Sequence, residues 1–329
     1  MDFSSLPADT AHRFRAVADI LKSRAPKLPD QPKLLDVGGY PGTFGRVISS
    51  TMPRWQTTTV DKPAETLPDY VSYTGGKLPF ETYSFDAVVS IDTFEHLAPG
   101  DRANFLHELC RCAKHLVVLA APFHHDSTAA VERILANSWE KLFRTPHPWL
   151  DEHVRHGLPV LELSVASMPS THGVTEVLPS YDLSAWVMAQ SLSILRKRHG
   201  ALDNAWKGYE AAFAVAPTPA VTSVPYRWIV VAEADTPAKD FRGRLTPGSD
   251  MGGDALELAR LFARLMELES GELSERAGLV APLLIETRLK EALAAAEQEV
   301  LRLQNELKNP KSPMQSGSGK SLLKGIFGR

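Results

Sequence analysis

Cysteine is almost absent: the 329 residues hold two, Cys110 and Cys112. A disulfide scaffold is excluded on that count. Two apart on a predicted helix, the thiols point in different directions and do not bridge, so both are expected reduced, in a cytoplasmic compartment. A basic excess is lacking too. With 36 Lys and Arg against 39 Asp and Glu, the net charge is −3 and the pI near 6.4, which argues against a general nucleic-acid binder. No apolar run approaches the roughly 20 residues that a membrane helix needs. Asp9, Arg13, Arg15 and Asp19 interrupt the start where a signal peptide would be apolar. The GxGxxG spacing of a dinucleotide turn is also missing, which disfavours hydride transfer. What remains is a chain of 43% hydrophobic residues, enough for one sizeable core and a smaller appendage.

The centre of the sequence is KLLDVGGYPGTFGR, Lys33 to Arg46. Leu34, Leu35 and Val37 make an apolar strand with Asp36 near its end. Gly38, Gly39, Gly42 and Gly45 then turn the chain into a helical pattern at Val47 and Ile48. Glycines let the backbone turn tightly and approach a ligand without a Cβ in the way, and the helix that follows offers free N–H groups. Some 25 residues on, TTTVD places Asp61 at the end of a second strand, where doubly wound sheets meet ribose hydroxyls. FDAVVSID, Phe85 to Asp92, reads as a further strand, followed by TFEHL, a helix near 101–113 and a strand over 115–121. With helices at 7–24 and 43–51, the alternation predicts an α/β fold, Rossmann-like and doubly wound, with a mostly parallel sheet.

In this order, LLDVGGYPG, VD, LPFETYSFDAVVSIDTFEHL and LVVLAAPF resemble the class I S-adenosylmethionine-dependent methyltransferases of small-molecule type, over roughly residues 30–125. The resemblance implies S-adenosyl-L-methionine as cofactor. Asp36, Gly38 and Gly39 would orient the loop under its methionine part, Gly42 would sit at the close approach, and Asp61 would bind the ribose diol. Leu78 would line the adenine pocket with backbone groups, and Asp92, nearer the cofactor than His96, would touch it. Two departures stand out. Tyr40, followed by Pro41, occupies the family's middle glycine and either caps the methionine end or stiffens the turn; Thr74, Gly75 and Gly76 replace the acid that often meets adenine.

The histidines give the second cluster. Six of the chain's eleven fall between His124 and His172, five of them in PFHHD and TPHPWLDEHVRHGLP. This insertion, at about 124–173, is expected to open with a helix over Thr128–Leu142 and to continue as an ordered, proline-bearing loop at the crevice mouth. Three readings fit it: an acceptor site with Trp149 as a stacking platform, a divalent metal site, or hydrogen-bonded histidines within a loop. The spacing is not a metal signature, so no metal ligand is assigned, and the acceptor site is favoured. His124, His125 or His153 is then the expected base, with His96 after the Asp92 strand a further candidate. Glu95 either lines the crevice or braces the next helix. The HPWLDEHVRHGLP run is similar to one in methyltransferases encoded beside bacterial glycosyltransferases, which implies a small-molecule or surface-glycan acceptor.

The catalytic domain is expected to span residues 1–235, ending in a strand at VTEVLP, helices at SYDLSAWVMAQSLSILRKRHG and DNAWKGYEAAFA, and a strand at PYRWIVVAEAD. Arg227 beside Tyr226 is either a surface pair or part of the site. A linker, 236–253, leads to a helical, coiled-coil-like segment, 254–309. There Leu258, Leu261, Phe262, Leu265 and Leu268 form one stripe, and Leu289 to Leu307 repeat in steps of four and three. A homo-oligomer or coiled-coil partner follows, unless the stripe folds back on the domain. The last twenty residues, 310–329, hold no acid and are expected to be disordered, with an optional weak membrane-surface contact on the inner face. The reading is an enzyme that O-methylates a sugar or other polar small molecule; the alternative is a scaffolding protein built on a degenerate methyltransferase domain.

Overall fold

In the computed structural model the described residues are 2–62, 69–73, 75–200, 224–241 and 252–269, with isolated positions at 207, 208, 221 and 298. The expected helix at DNAWKGYEAAFA, the coiled-coil repeat from Leu289 and the 310–329 tail lie outside them. Seven strands form one sheet: β1 Lys33–Val37, β2 Gln56–Asp61, β3 Tyr70–Ser72, β4 Phe85–Ile91, β5 Ala113–Pro122, β6 His172–Asp182 and β7 Pro225–Ala234. Their order is β3-β2-β1-β4-β5-β7-β6, and β7 alone runs antiparallel to its neighbours. The Rossmann-like, mostly parallel sheet read from the alternation is therefore the fold. Strand β3 was not anticipated: it is three residues long and only half-buried, too short for an apolar alternation to register.

Strand period 2 sorts the sheet residues into two cores. Leu34, Val89, Ile91, Val118 and Val231 face α1 (Ala8–Arg24) and α2 (Thr43–Thr51), where they meet Phe14, Val17, Leu21, Phe44 and Ile48. Leu35, Val37, Val88, Val117 and Leu119 face α3 (Pro99–Cys112), against Phe105, Leu106 and Leu109. Both thiols are free and buried on this face, and burial pushes Cys110 up to about 12 and Cys112 to about 11. Neither is a nucleophile at neutral pH. Helix α1 begins at Ala8, after Pro7, with Asp9 in its first turn.

Between β5 and β6 the chain forms α4 (Asp126–Phe143), α5 (Leu150–His156) and α6 (Leu161–Ala166). The run PHPWLDEHVRHGLP was expected to be irregular, yet α5 forms inside it. His147 supplies the missing start signal, its Nδ1 accepting from the Trp149 and Leu150 N–H groups at 3.2 and 3.1 Å. That ring nitrogen does the work of an N-cap oxygen. Gly157, at φ +69, ends the helix.

A third core joins α4, α7 (Leu183–Arg198) and α8 (Gly253–Glu269). Helix α8 lies on α4 and α7 through Ala255, Ala259, Phe262 and Met266, which are buried, while Leu258, Leu261 and Leu265 are only partly covered. Small residues at 255 and 259 let the backbones approach, so the buried face is offset from the leucine stripe. Phe262→Ala should cost about 3–5 kcal/mol in urea unfolding, the range for a buried Phe truncation; a loss below about 1 kcal/mol would mean that α8 does not hold this face in solution.

Candidate active site

The carboxyl ends of β1, β2 and β4 converge on the glycine turn. Gly38 has φ +80, and a Cβ on it would fall 2.1 Å from Thr93 Oγ1, just past β4. Its N–H donates to the Val60 carbonyl of β2 at 2.7 Å. Gly39 lies over Asp36, whose Oδ2 would stand 1.9 Å from an added Cβ. Gly42 then starts α2 in the left-handed region, at φ +78. The turn is thus wedged between β2 and the end of β4, and only glycine fits at its two closest approaches.

Asp36 is 1% exposed, and its Oδ2 has no hydrogen-bond partner among the described residues. Burial, with the nearby Asp61 charge, raises its pKa from 3.8 to about 7. Asp61 accepts from the Tyr40 N–H at 2.9 Å and the Lys62 N–H at 2.6 Å. The half-exposed Tyr40 ring meets Tyr70 of β3 edge-on, 6.0 Å between centroids. Tyr40 therefore flanks the carboxylate of Asp61, on the β3 side of the turn. Leu78 is buried, and its N–H donates to Glu108 Oε2 at 2.7 Å. Arg111 completes that clamp by donating to Glu108 and to the Leu78 and Phe80 carbonyls. Glu108 and Arg111 were not foreseen, since an i, i+3 pair on α3 reads as ordinary helix surface.

Asp92 is not a free ligand. Arg227 Nε and Nη2 each reach its carboxylate at 2.6 Å, and Arg13 Nη1 does so at 2.5 Å. Burial alone would raise this carboxyl, but the Arg227 and Arg13 guanidiniums more than offset it and hold it well below the usual range. Arg227 is 1% exposed, which settles it as an interior residue. It reaches Asp9 as well, at 3.5 Å.

Beyond Asp92 the chain turns through Phe94–His96 and meets α5. His96 Nδ1 lies 2.8 Å from Glu152 Oε2, and its Nε2 lies 3.5 Å from His153 Nε2. His153 is buried, with Nδ1 3.0 Å from Glu132 Oε1, which also accepts from the Tyr226 hydroxyl at 2.9 Å. The fully buried Glu95 adjoins both rings and is raised to about 8 by burial and the Asp92 charge. Burial and the charge of His153 lower His96; for His153 the Glu132 bond and charge outweigh burial and raise it. Trp149, 64% exposed, stands edge-on to His96 with centroids 6.1 Å apart. The structure thus joins His96 and His153, 57 residues apart, and adds Glu95, Glu132 and Tyr226. His124 and His125 stay outside: His124 is exposed, and His125 caps α4, accepting from the Ser127 N–H at 3.2 Å.

The sequence profile described as "Methyltransferase domain" matches residues 10–160. No curated protein matches the chain. Among solved structures it is similar to a SAM dependent methyltransferase from Aquifex aeolicus, at 15% identity over 66% of this chain and 88% of that one, with a TM-score of 0.36. It is also similar to the [4+2]-cyclase SpnF, at 13% identity over 68% and 81%, TM-score 0.43. A third is the mycolic acid cyclopropane synthase CmaA1, solved with SAH and CTAB, at 15% identity over 66% and 83%, TM-score 0.39. Likeness at these scores says nothing of a substrate.

Two outcomes test this geometry. The folded chain keeps a proton on Asp36 that the unfolded chain releases above about 3.8, so stability falls as pH rises from there through about 7. Asp36→Asn should flatten the cofactor-free unfolding midpoint across that window; an unchanged slope would place the penalty elsewhere. Arg227→Met leaves Asp92 with Arg13 alone and should cost about 3–5 kcal/mol by denaturant titration.

Proposed function

We propose that this chain, whose residues 10–160 match a methyltransferase domain, is a class I S-adenosylmethionine-dependent enzyme that methylates an oxygen of a sugar or other polar small molecule, a surface glycan or its precursor among them. The supporting observation is the pair of imidazoles set by carboxylates just past β4, beside an exposed indole.

The residues around the turn suit the cofactor. Asp36 Oδ2 is a buried acceptor without a partner among the described residues, Gly38 and Gly39 let the turn pack down onto Thr93 and Asp36, and each Asp61 oxygen keeps a lone pair for a diol hydroxyl. Leu78 offers an apolar wall fixed by Glu108. When bound, S-adenosylmethionine supplies an electrophilic methyl group on a sulfonium.

The chain's own residues then have two tasks. The Asp92 pairing with Arg13 and Arg227 fixes the end of β4, so the acceptor crevice keeps its distance from the glycine turn. The Glu95, His96 and His153 cluster meets the acceptor hydroxyl and draws off its proton, while Trp149 offers a sugar ring a stacking face. An oxygen acceptor needs such proton removal, which an already neutral amine does not.

Calorimetric titration with S-adenosylmethionine and with its demethylated product should show both binding, and Asp61→Ala should abolish both; undiminished affinity in that variant would remove Asp61 from the ribose. His153→Asn should keep product affinity while methyl transfer to hydroxylated sugars falls about 10²- to 10⁴-fold. Full turnover in that variant would move proton removal away from the cluster.

A further inference from the structure

The Nε2 atoms of His96 and His153 face each other across 3.5 Å, and the far nitrogen of each ring is committed to a carboxylate. A carboxylate only accepts, so Glu152 and Glu132 fix the hydrogen of each ring on Nδ1. Two neutral rings held this way aim their lone pairs at one another. The arrangement is repulsive by itself and becomes attractive once a cation stands between them.

The spacing suits a metal ion. Two nitrogens bound at about 2.05 Å with a tetrahedral angle stand roughly 3.4 Å apart. A third donor is in place: the ligand atoms of Glu95, His96 and His153 all lie within 4.8 Å of one another. Glu95 is 1% exposed, and its Oε2 has no hydrogen-bond partner among the described residues. A buried carboxylate oxygen without a donor is costly unless something positive comes to it. Of the guanidiniums nearby, Arg13 and Arg227 bind Asp92 and Arg102 donates to the Leu97 and Gly157 carbonyls, and none donates to Glu95 Oε2.

We propose that Glu95, His96 and His153 bind one divalent first-row transition-metal ion, leaving a further coordination position open. Two imidazoles and one carboxylate are a donor set that such ions take at catalytic sites, with the remaining position for water or substrate. Glu132 and Glu152 are positioning residues that act through the rings, and the Tyr226 hydroxyl in turn orients Glu132. The consequence for catalysis rests on the oxygen-acceptor reading: a hydroxyl at the open position would shed its proton more readily. Metal binding itself does not depend on that reading.

The test uses the full chain, stripped with a chelator and titrated with cobalt(II). An intense visible d–d spectrum of low coordination number, saturating at one equivalent and displaced by zinc(II), is expected. Glu95→Gln, His96→Gln and His153→Asn should each lose the spectrum, with circular dichroism reporting that the fold is intact. Glu132→Gln should keep it with affinity about ten- to a hundredfold weaker, and exposed His107→Gln should leave it unchanged. A spectrum that stays that of the hydrated ion, or that survives both His96→Gln and His153→Asn, would overturn the proposal and leave a shared proton between the rings. Affinity for the demethylated cofactor, measured on the same samples, separates the two readings. Cobalt binding without methyl transfer to any hydroxyl would uphold the metal site and overturn the acceptor assignment; chelator-resistant transfer without cobalt binding would do the reverse.

Discussion

The end of β4 can lie where it does because one carboxylate is shared by two guanidiniums. Asp92 adopts φ +50, a left-handed conformation that a non-glycine residue rarely takes unless its surroundings enforce it. Arg227 from β7 and Arg13 from α1 close on it from different elements. Desolvating these charges is expensive, and the bidentate geometry is what offsets it. The pairing therefore contributes placement more than net stability: it fixes where the sheet stops and Thr93 begins.

Two structures depend on that point, one on either side. Toward β1, the Thr93 side chain occupies the space a Cβ on Gly38 would need, so the glycine turn packs down on β4 and carries Asp36 and Gly39 with it. Toward α5, the short turn Phe94–His96 delivers Glu95 and His96 to His153. Glycine turn and imidazole pair are set by the two ends of one five-residue stretch, Asp92 to His96. Methyl transfer asks for little beyond in-line placement of donor and acceptor, so rigidity here is the main thing the fold supplies. The helices that hold His153 are themselves braced: α5 on α4, and α4 on α8 through Ala255, Ala259, Phe262 and Met266.

Much of this was legible in residue order. Strand patterning gave six of the seven strands, all but β3, and the glycines after Asp36 were legible as the turn between β1 and α2. Local signals misled where an unusual group did a standard job. His147 stands in for a cap oxygen, so α5 read as a loop, and His125, a conspicuous candidate base, is an N-cap itself. Partners within the packed elements were least visible, because Arg13, Glu108 and Arg111 look from composition like the solvated surface of ordinary helices, and Arg227 beside Tyr226 read equally as a surface pair or part of the site.

By itself the sequence determined the α/β alternation, the glycine turn and the acids Asp36 and Asp61 near the ends of β1 and β2, because strand period, turn chemistry and capping are set within a few neighbouring residues. Only the tertiary structure decided which histidines meet. His96 and His153 are 57 residues apart, on a turn and a short helix whose approach is fixed by α4, Glu132 and Tyr226, and no spacing along the chain encodes that. It likewise decided that Asp92 is paired from two sides while Glu95, three residues on, keeps an oxygen without a partner among the described residues. Burial and charge pairing are properties of what surrounds a group in space, and that is settled only when distant elements pack.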